Sequence, residues 1–153
     1  MIRKLVMVAA LAGAAACNSD DEERFEATLT GSGEVPPVST TSTGSAFFTV
    51  NDDNLEFNVG AQNITGAIAA HIHSGAPGVN GPPLVFLFQA APPGVSVTAG
   101  SLNSGTVDQT DMIAGTGVSY DSMVALIRNG NAYVNIHTVA RPAGEVRGQI
   151  VRP

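Results

Sequence analysis

The sequence predicts an all-β domain, and three observations carry that expectation. From Phe25 onward the apolar residues come in short runs rather than long stretches. The runs are punctuated by Gly, Pro, Asn and Asp, the residues that favour turns. A single stretch, after Ser119, has the spacing of a helix. Such spacing suits a sandwich or a barrel, and the fold expected here is a Greek-key-like antiparallel β-sandwich with one short helix, preceded by a cleaved lipoprotein signal peptide.

The elements follow in order. Residues 1–16 read as the signal: Arg3 and Lys4 form a basic start, Leu5 to Leu11 is apolar, and Ala12-Gly13-Ala14-Ala15-Ala16 narrows to small residues before Cys17. The apolar run is too short for an ordinary membrane span. Cys17 is the one cysteine, so no intrachain disulfide can form, and it stands where a bacterial lipobox places its lipidated residue. Residues 17–24 then form a lipidated acidic tether, Asn18-Ser19-Asp20-Asp21-Glu22-Glu23, whose like charges keep it extended. The run also resembles the surface-export address of some bacterial lipoproteins.

The folded domain is expected over residues 25–153. Phe25 to Thr30 is a first strand. Gly44 to Val50 and Leu55 to Gly60 flank Asn51-Asp52-Asp53-Asn54, a hairpin with a polar four-residue loop. The loop lacks the alternating acidic spacing of a calcium site. Ala67 to His73 is the next strand. Leu84 to Phe88, apolar throughout, suggests a strand buried on both faces. Ala90 to Gly100 reads as a connector and Ser104 to Val107 as a short strand. Ser119 is a good N-cap, Met123, Val124 and Ile127 form an apolar stripe, and Gly130 falls just past the end of the helix. Ala132 to Thr138 and Glu145 to Val151 close the chain.

Charge and composition exclude several functions. From Cys17 onward the chain has five arginines, no lysine and thirteen acidic residues, a net charge of −8. No cationic stripe exists to neutralise phosphates, which argues against nucleic acid, or to dock on anionic lipid. Membrane attachment would come from acyl chains on Cys17. There is no tryptophan, and Tyr120 and Tyr133 are the only tyrosines, so a sugar-stacking platform would be small. No Gly-x-Ser-x-Gly, phosphate-loop or dinucleotide motif occurs. Glu145 has the chemistry of a general base, but no nucleophile or second carboxylate accompanies it in a motif.

The chemistry-bearing residues fall in two blocks. One is His71-Ile72-His73-Ser74-Gly75-Ala76-Pro77-Gly78-Val79-Asn80-Gly81-Pro82. The other runs Tyr133-Val134-Asn135-Ile136-His137-Thr138 and then Gly144-Glu145-Val146-Arg147-Gly148-Gln149-Ile150. They hold all three histidines of the protein. Strand alternation puts His71 and His73 on one face, and Tyr133, Asn135 and His137 on one face. If the two strands share a sheet, three imidazoles converge. Two readings stay open. The rings form a hydrogen-bonded polar layer with Asn135, Glu145 and Arg147, or His71, His73 and His137 hold a single copper or zinc ion. Arg147 shares a face with Glu145 and would pin the last strand through a bidentate contact. The Gly75 to Pro83 stretch is expected to shape a tight connection.

These blocks, with Leu29-Thr30-Gly31-Ser32-Gly33-Glu34-Val35-Pro36-Pro37 near the start, resemble the CHRD domain, a family named after the animal protein chordin and also found in bacterial secreted proteins. The likeness covers roughly Phe25 to Val151. It implies an all-β extracytoplasmic domain and no established enzymatic activity. The His-x-His strand with an arginine near the C-terminus is also similar to copper/zinc superoxide dismutase, with Arg147 as the counterpart. A two-metal site would need a fourth histidine, and the chain has none. The functional expectation is a non-enzymatic cell-envelope binding or structural module, lipid-anchored to a bacterial outer membrane or cell surface. The alternative is a mononuclear copper or zinc protein with a three-histidine site.

Overall fold

A computed structural model describes residues 22–153. The signal segment, Cys17 and most of the acidic run lie outside the described residues. Glu23, read as tether, is instead the first residue of strand β1 (Glu23–Thr30), where it accepts from Arg128 of the helix and Arg152 of the C-terminus. The remaining elements are β2 (Thr43–Val50), β3 (Asn54–Ser74), β4 (Pro83–Gln89), β5 (Val95–Asp108), α1 (Tyr120–Arg128), β6 (Ala132–Thr138) and β7 (Val146–Gln149).

Five of the strands, β1, β2, β3, β6 and β7, close into an antiparallel barrel, and β4 and β5 pair with β3 outside that ring. The expected sandwich is therefore corrected to a barrel. The reason is β3, one strand of 21 residues where the sequence suggests two. Its first part pairs with β2 and β5, and its last part with β4 and β6. The Asn63-Ile64-Thr65-Gly66 stretch that reads as a break is a bend within the strand. Asn63 has φ +55° and Gly66 has φ +68°, both left-handed. Five antiparallel pairings cannot close a ring of straight strands, because strand sense must alternate around it. The two halves of β3 take their barrel partners separately, β2 before Asn63–Gly66 and β6 after it.

Alternation places the core. Phe25, Ala27 and Leu29 of β1, Ala46 and Phe48 of β2, Leu55, Val59 and Ile72 of β3, and Val134 and Ile136 of β6 are all buried in one cluster. The Val50↔Leu55 register closes the predicted hairpin over Asn51 to Asn54. Strand β5 begins at Val95, inside the stretch expected to be a connector. Most of its side chains are exposed and only Val107 is buried, so its sequence lacks an apolar period and the backbone ladder to β3 defines it. Strand β4 is not covered on both faces: Phe86 is 41% exposed.

The helix forms as expected. The Ser119 hydroxyl accepts from the Ser122 N–H, and Gly130, with φ +68°, ends it. Met123, Val124 and Ile127 are buried, joined by Tyr120, whose hydroxyl donates to the Asn51 carbonyl. At nine residues the helix needs this packing to persist.

The seam between β1 and β7 is closely packed. A Cβ on Gly148 would collide with the Thr28 carbonyl oxygen, which belongs to backbone and cannot swing away. Gly148→Ala should therefore cost about 1–3 kcal/mol through overpacking. Urea unfolding checks this, and a change below about 0.5 kcal/mol would show that the seam yields.

Candidate functional site

The three histidines converge on the outer face of the barrel, where β3 and β6 pair. His71 stands opposite Asn135, His73 opposite Tyr133, and Ala69 opposite His137. The small Ala69 side chain leaves the His137 ring free to lean along the strand toward His71, and their ring centroids are 4.9 Å apart. The His71–His73 and His73–His137 centroids lie 5.4 and 6.0 Å apart. One nitrogen of each ring falls within 4.8 Å of the others. Three such atoms share a common point no more than about 2.8 Å from each. A contraction of about 0.7 Å would reach zinc–imidazole bond length.

The hydrogen bonds fix the tautomers of two rings. His73 Nδ1 lies 2.8 Å from the Gly81 carbonyl oxygen, and His137 Nδ1 lies 3.0 Å from the Pro142 carbonyl oxygen. A carbonyl only accepts, so each Nδ1 carries the proton and each Nε2 presents its lone pair. Nε2 of His73, Nε2 of His137 and Nδ1 of His71 are buried and have no protein partner. His71 and His73 are buried as whole residues, whereas His137 is partly exposed. Burial pushes all three imidazoles below their usual range. It takes His71 to about 3, with the His137 and His73 rings adding to the effect. For His73 and His137 burial outweighs the bonds to Gly81 and Pro142, which work the other way. All three rings are neutral at neutral pH, the form that ligates metal.

A loop, the lid, borders the cluster at His73. The Gly75–Pro82 loop folds back so that Ser74 N–H donates to the Pro82 carbonyl. Gly81 has room for no side chain, because a Cβ there would strike the Ser74 carbonyl oxygen. Arg147, only 2% exposed, pins the lid by donating to Asn80 Oδ1 at 2.9 Å and to the Val79 carbonyl at 2.8 Å. Its guanidinium carbon sits 3.4 Å from the centroid of the Tyr133 ring, which stacks on His73 at 4.8 Å. Gln149 adds a donor to the Gly75 carbonyl.

The residues proposed as one polar network separate. Arg147 forks to two acceptors in the loop, Asn80 and Val79, and so ties that loop to β7. Glu145 makes no hydrogen bond to a ring. It accepts from the hydroxyls of Thr40, Ser42 and Thr138 at 2.7–2.8 Å. Burial raises its pKa, but these three hydroxyls and Arg141 outweigh that and hold it below the usual carboxylate value. Asn135 lies between His71 and Arg147 across the sheet and approaches His73 closely enough to work against the lowering of that ring's pKa, although its buried Oδ1 has no partner at hydrogen-bond geometry.

Sequence reasoning placed Tyr133 on the face without giving it a role, and it missed Glu34. Tyr133 shares the alternation of Asn135 and His137, which was the available signal for its place on the face. Glu34 stands in the Gly33-Glu34-Val35-Pro36 stretch, yet nothing local marks it as buried. It is 6% exposed and packs its carboxyl against Gly144.

The family model for the CHRD domain matches residues 25–150. No curated protein and no solved structure matches the chain significantly. The match takes in β1, both histidine-bearing strands and the lid between β3 and β4. Covering most of the chain, it shows that this protein belongs to the CHRD domain family.

Proposed function

We propose that this protein binds a single copper or zinc ion through His71, His73 and His137. The observation that carries the reading is the convergence of three histidines, one nitrogen of each within 4.8 Å of the others, on rings that each keep a buried nitrogen without a protein partner. A structural network would pair each of those atoms, since an unsatisfied buried polar group costs about 1–3 kcal/mol. The backbone carbonyls on His73 and His137 are the kind of outer support that orients metal-ligating imidazoles.

Metal analysis of the full-length protein, purified without a His tag, tests this. One equivalent of copper or zinc is expected, and the His71→Ala, His73→Ala double variant should hold none. Trace metal only, with a melting temperature indifferent to chelator, would return the protein to the reading of a non-metallic binding module.

The reading includes a place in the cell: a lipid-anchored, extracytoplasmic domain held by Cys17. Support comes from the small-residue approach to that cysteine and from a net negative domain with no other means of binding anionic lipid. Cys17→Ser should release the protein from the membrane fraction or block its processing. An unchanged, detergent-requiring membrane pool would contradict the anchor.

A further inference from the structure

The donor set is uniform in one respect: it carries no charge. Among the described residues, the cluster of metal-ligating side chains consists of three histidines, with no carboxylate or thiolate. The two carboxylates that are at least partly buried in this part of the fold are committed elsewhere. Glu145 is enclosed by three hydroxyls, and Glu34 lies against Gly144 outside the cluster. The charged group stacked into the cluster is positive. Arg147 stacks on Tyr133, which stacks on His73, so the guanidinium lies within about 8 Å of that ring.

Charge decides which ions such a pocket tolerates. The cost of moving an ion into a poorly polarisable interior grows with the square of its charge. Repulsion from Arg147 grows in proportion to it. A divalent ion on three neutral imidazoles would keep its whole charge, and it would need a fourth, preferably anionic, ligand to relieve that. Monovalent copper has a filled d shell and is content with three neutral donors in a trigonal arrangement. We propose that the three-histidine site selects monovalent copper over divalent copper and zinc. This deepens the reading of the rings as a metal centre and rests on it.

Asn135 offers a direct handle. Its buried Oδ1 has no partner at hydrogen-bond geometry, and it stands beside His71 in the sheet and close to His73. Asn135→Asp keeps the shape and adds the missing negative charge. The test uses the full-length protein under anaerobic conditions. Cu⁺ is titrated in competition with bicinchoninate, and Cu²⁺ and Zn²⁺ in competition with chelators of known affinity. Wild type should bind one Cu⁺ at least 100-fold more tightly than Cu²⁺, so that the bound copper has a reduction potential above that of the aqueous couple. Asn135→Asp should narrow the Cu⁺/Cu²⁺ gap at least tenfold, chiefly by tightening Cu²⁺.

Wild-type Cu²⁺ or Zn²⁺ bound as tightly as Cu⁺ would overturn the selectivity and leave the metal centre standing. No stoichiometric binding of any of the three ions would overturn both. An unchanged gap in a folded Asn135→Asp variant would overturn the charge argument. Should that variant fail to fold, the wild-type ratio still decides.

Discussion

With free metal held at about a thousand times its Kd, His137→Ala should be less stable than wild type by about 4 kcal/mol, because ligand-linked stabilisation grows as RT ln(1 + [L]/Kd) and the variant forfeits it. In chelator the same substitution should cost far less. The ring then gives up one bond from Nδ1 to the Pro142 carbonyl, worth about 1 kcal/mol net, and it also removes a buried nitrogen that nothing satisfies. The competing arrangement lets trapped water bridge the three rings in a purely structural layer. That arrangement gives His137→Ala one cost, the same with metal and with chelator. Thermal or urea unfolding of both proteins in both buffers separates the two. Equal costs would end the metal reading, and a cost present only with metal would end the structural one.

The site was largely legible in the sequence because strand alternation is a strong rule. Two histidines spaced by one residue must share a face, and Tyr133, Asn135 and His137 must share theirs. What alternation does not provide is the pairing partner or the register. His137 reaches the other two rings because β6 lies beside the second half of β3, with Ala69 directly opposite. The polar partners were harder still. Glu145 was a natural candidate to orient a ring, but the hydroxyls of Thr40 and Ser42, over a hundred residues away in sequence, hold it instead.

The fold was legible in its elements and less so in its closure. The hairpin at Asn51–Asn54, the capped helix and the terminal strands all follow from local chemistry. The barrel depends on whether Asn63 to Gly66 ends a strand or bends it. Asn and Gly at left-handed φ serve either purpose, so the local signal is the same. Strand β5 escaped for a different reason. It joins the sheet through its backbone and buries almost nothing, and hydrophobic period cannot report a strand of that kind.

Removing the charge of Glu34 should reverse part of the pH dependence of stability. The side chain is 6% exposed, its Oε1 is buried without a donor, and its carboxyl is pressed against Gly144, whose φ of +131° favours glycine. Burial raises the Glu34 pKa to about 7, and Arg147, the charged group whose field opposes this, does not restore it. The ordinary value for the unfolded chain is 4.5. Between these values the unfolded state binds fewer protons than the folded state, so stability falls as pH rises. The contribution of Glu34 is complete below pH 4.5 and lost as pH climbs through about 7. A separation of this size corresponds to roughly 3 kcal/mol at most. The histidines act with the opposite sign, since their folded values are depressed and they lose stability as pH falls below 6.5. The informative quantity is therefore the difference between wild type and Glu34→Gln, in which terms common to both cancel. Glu34→Gln, measured by urea unfolding in chelator, should gain on wild type by roughly 2–3 kcal/mol between pH 5 and pH 8. Any fixed cost of burying the new amide shifts that curve vertically and leaves its slope unchanged. Parallel curves across the range would show that Glu34 is already ionised at pH 5, held so by a positive field stronger than its burial.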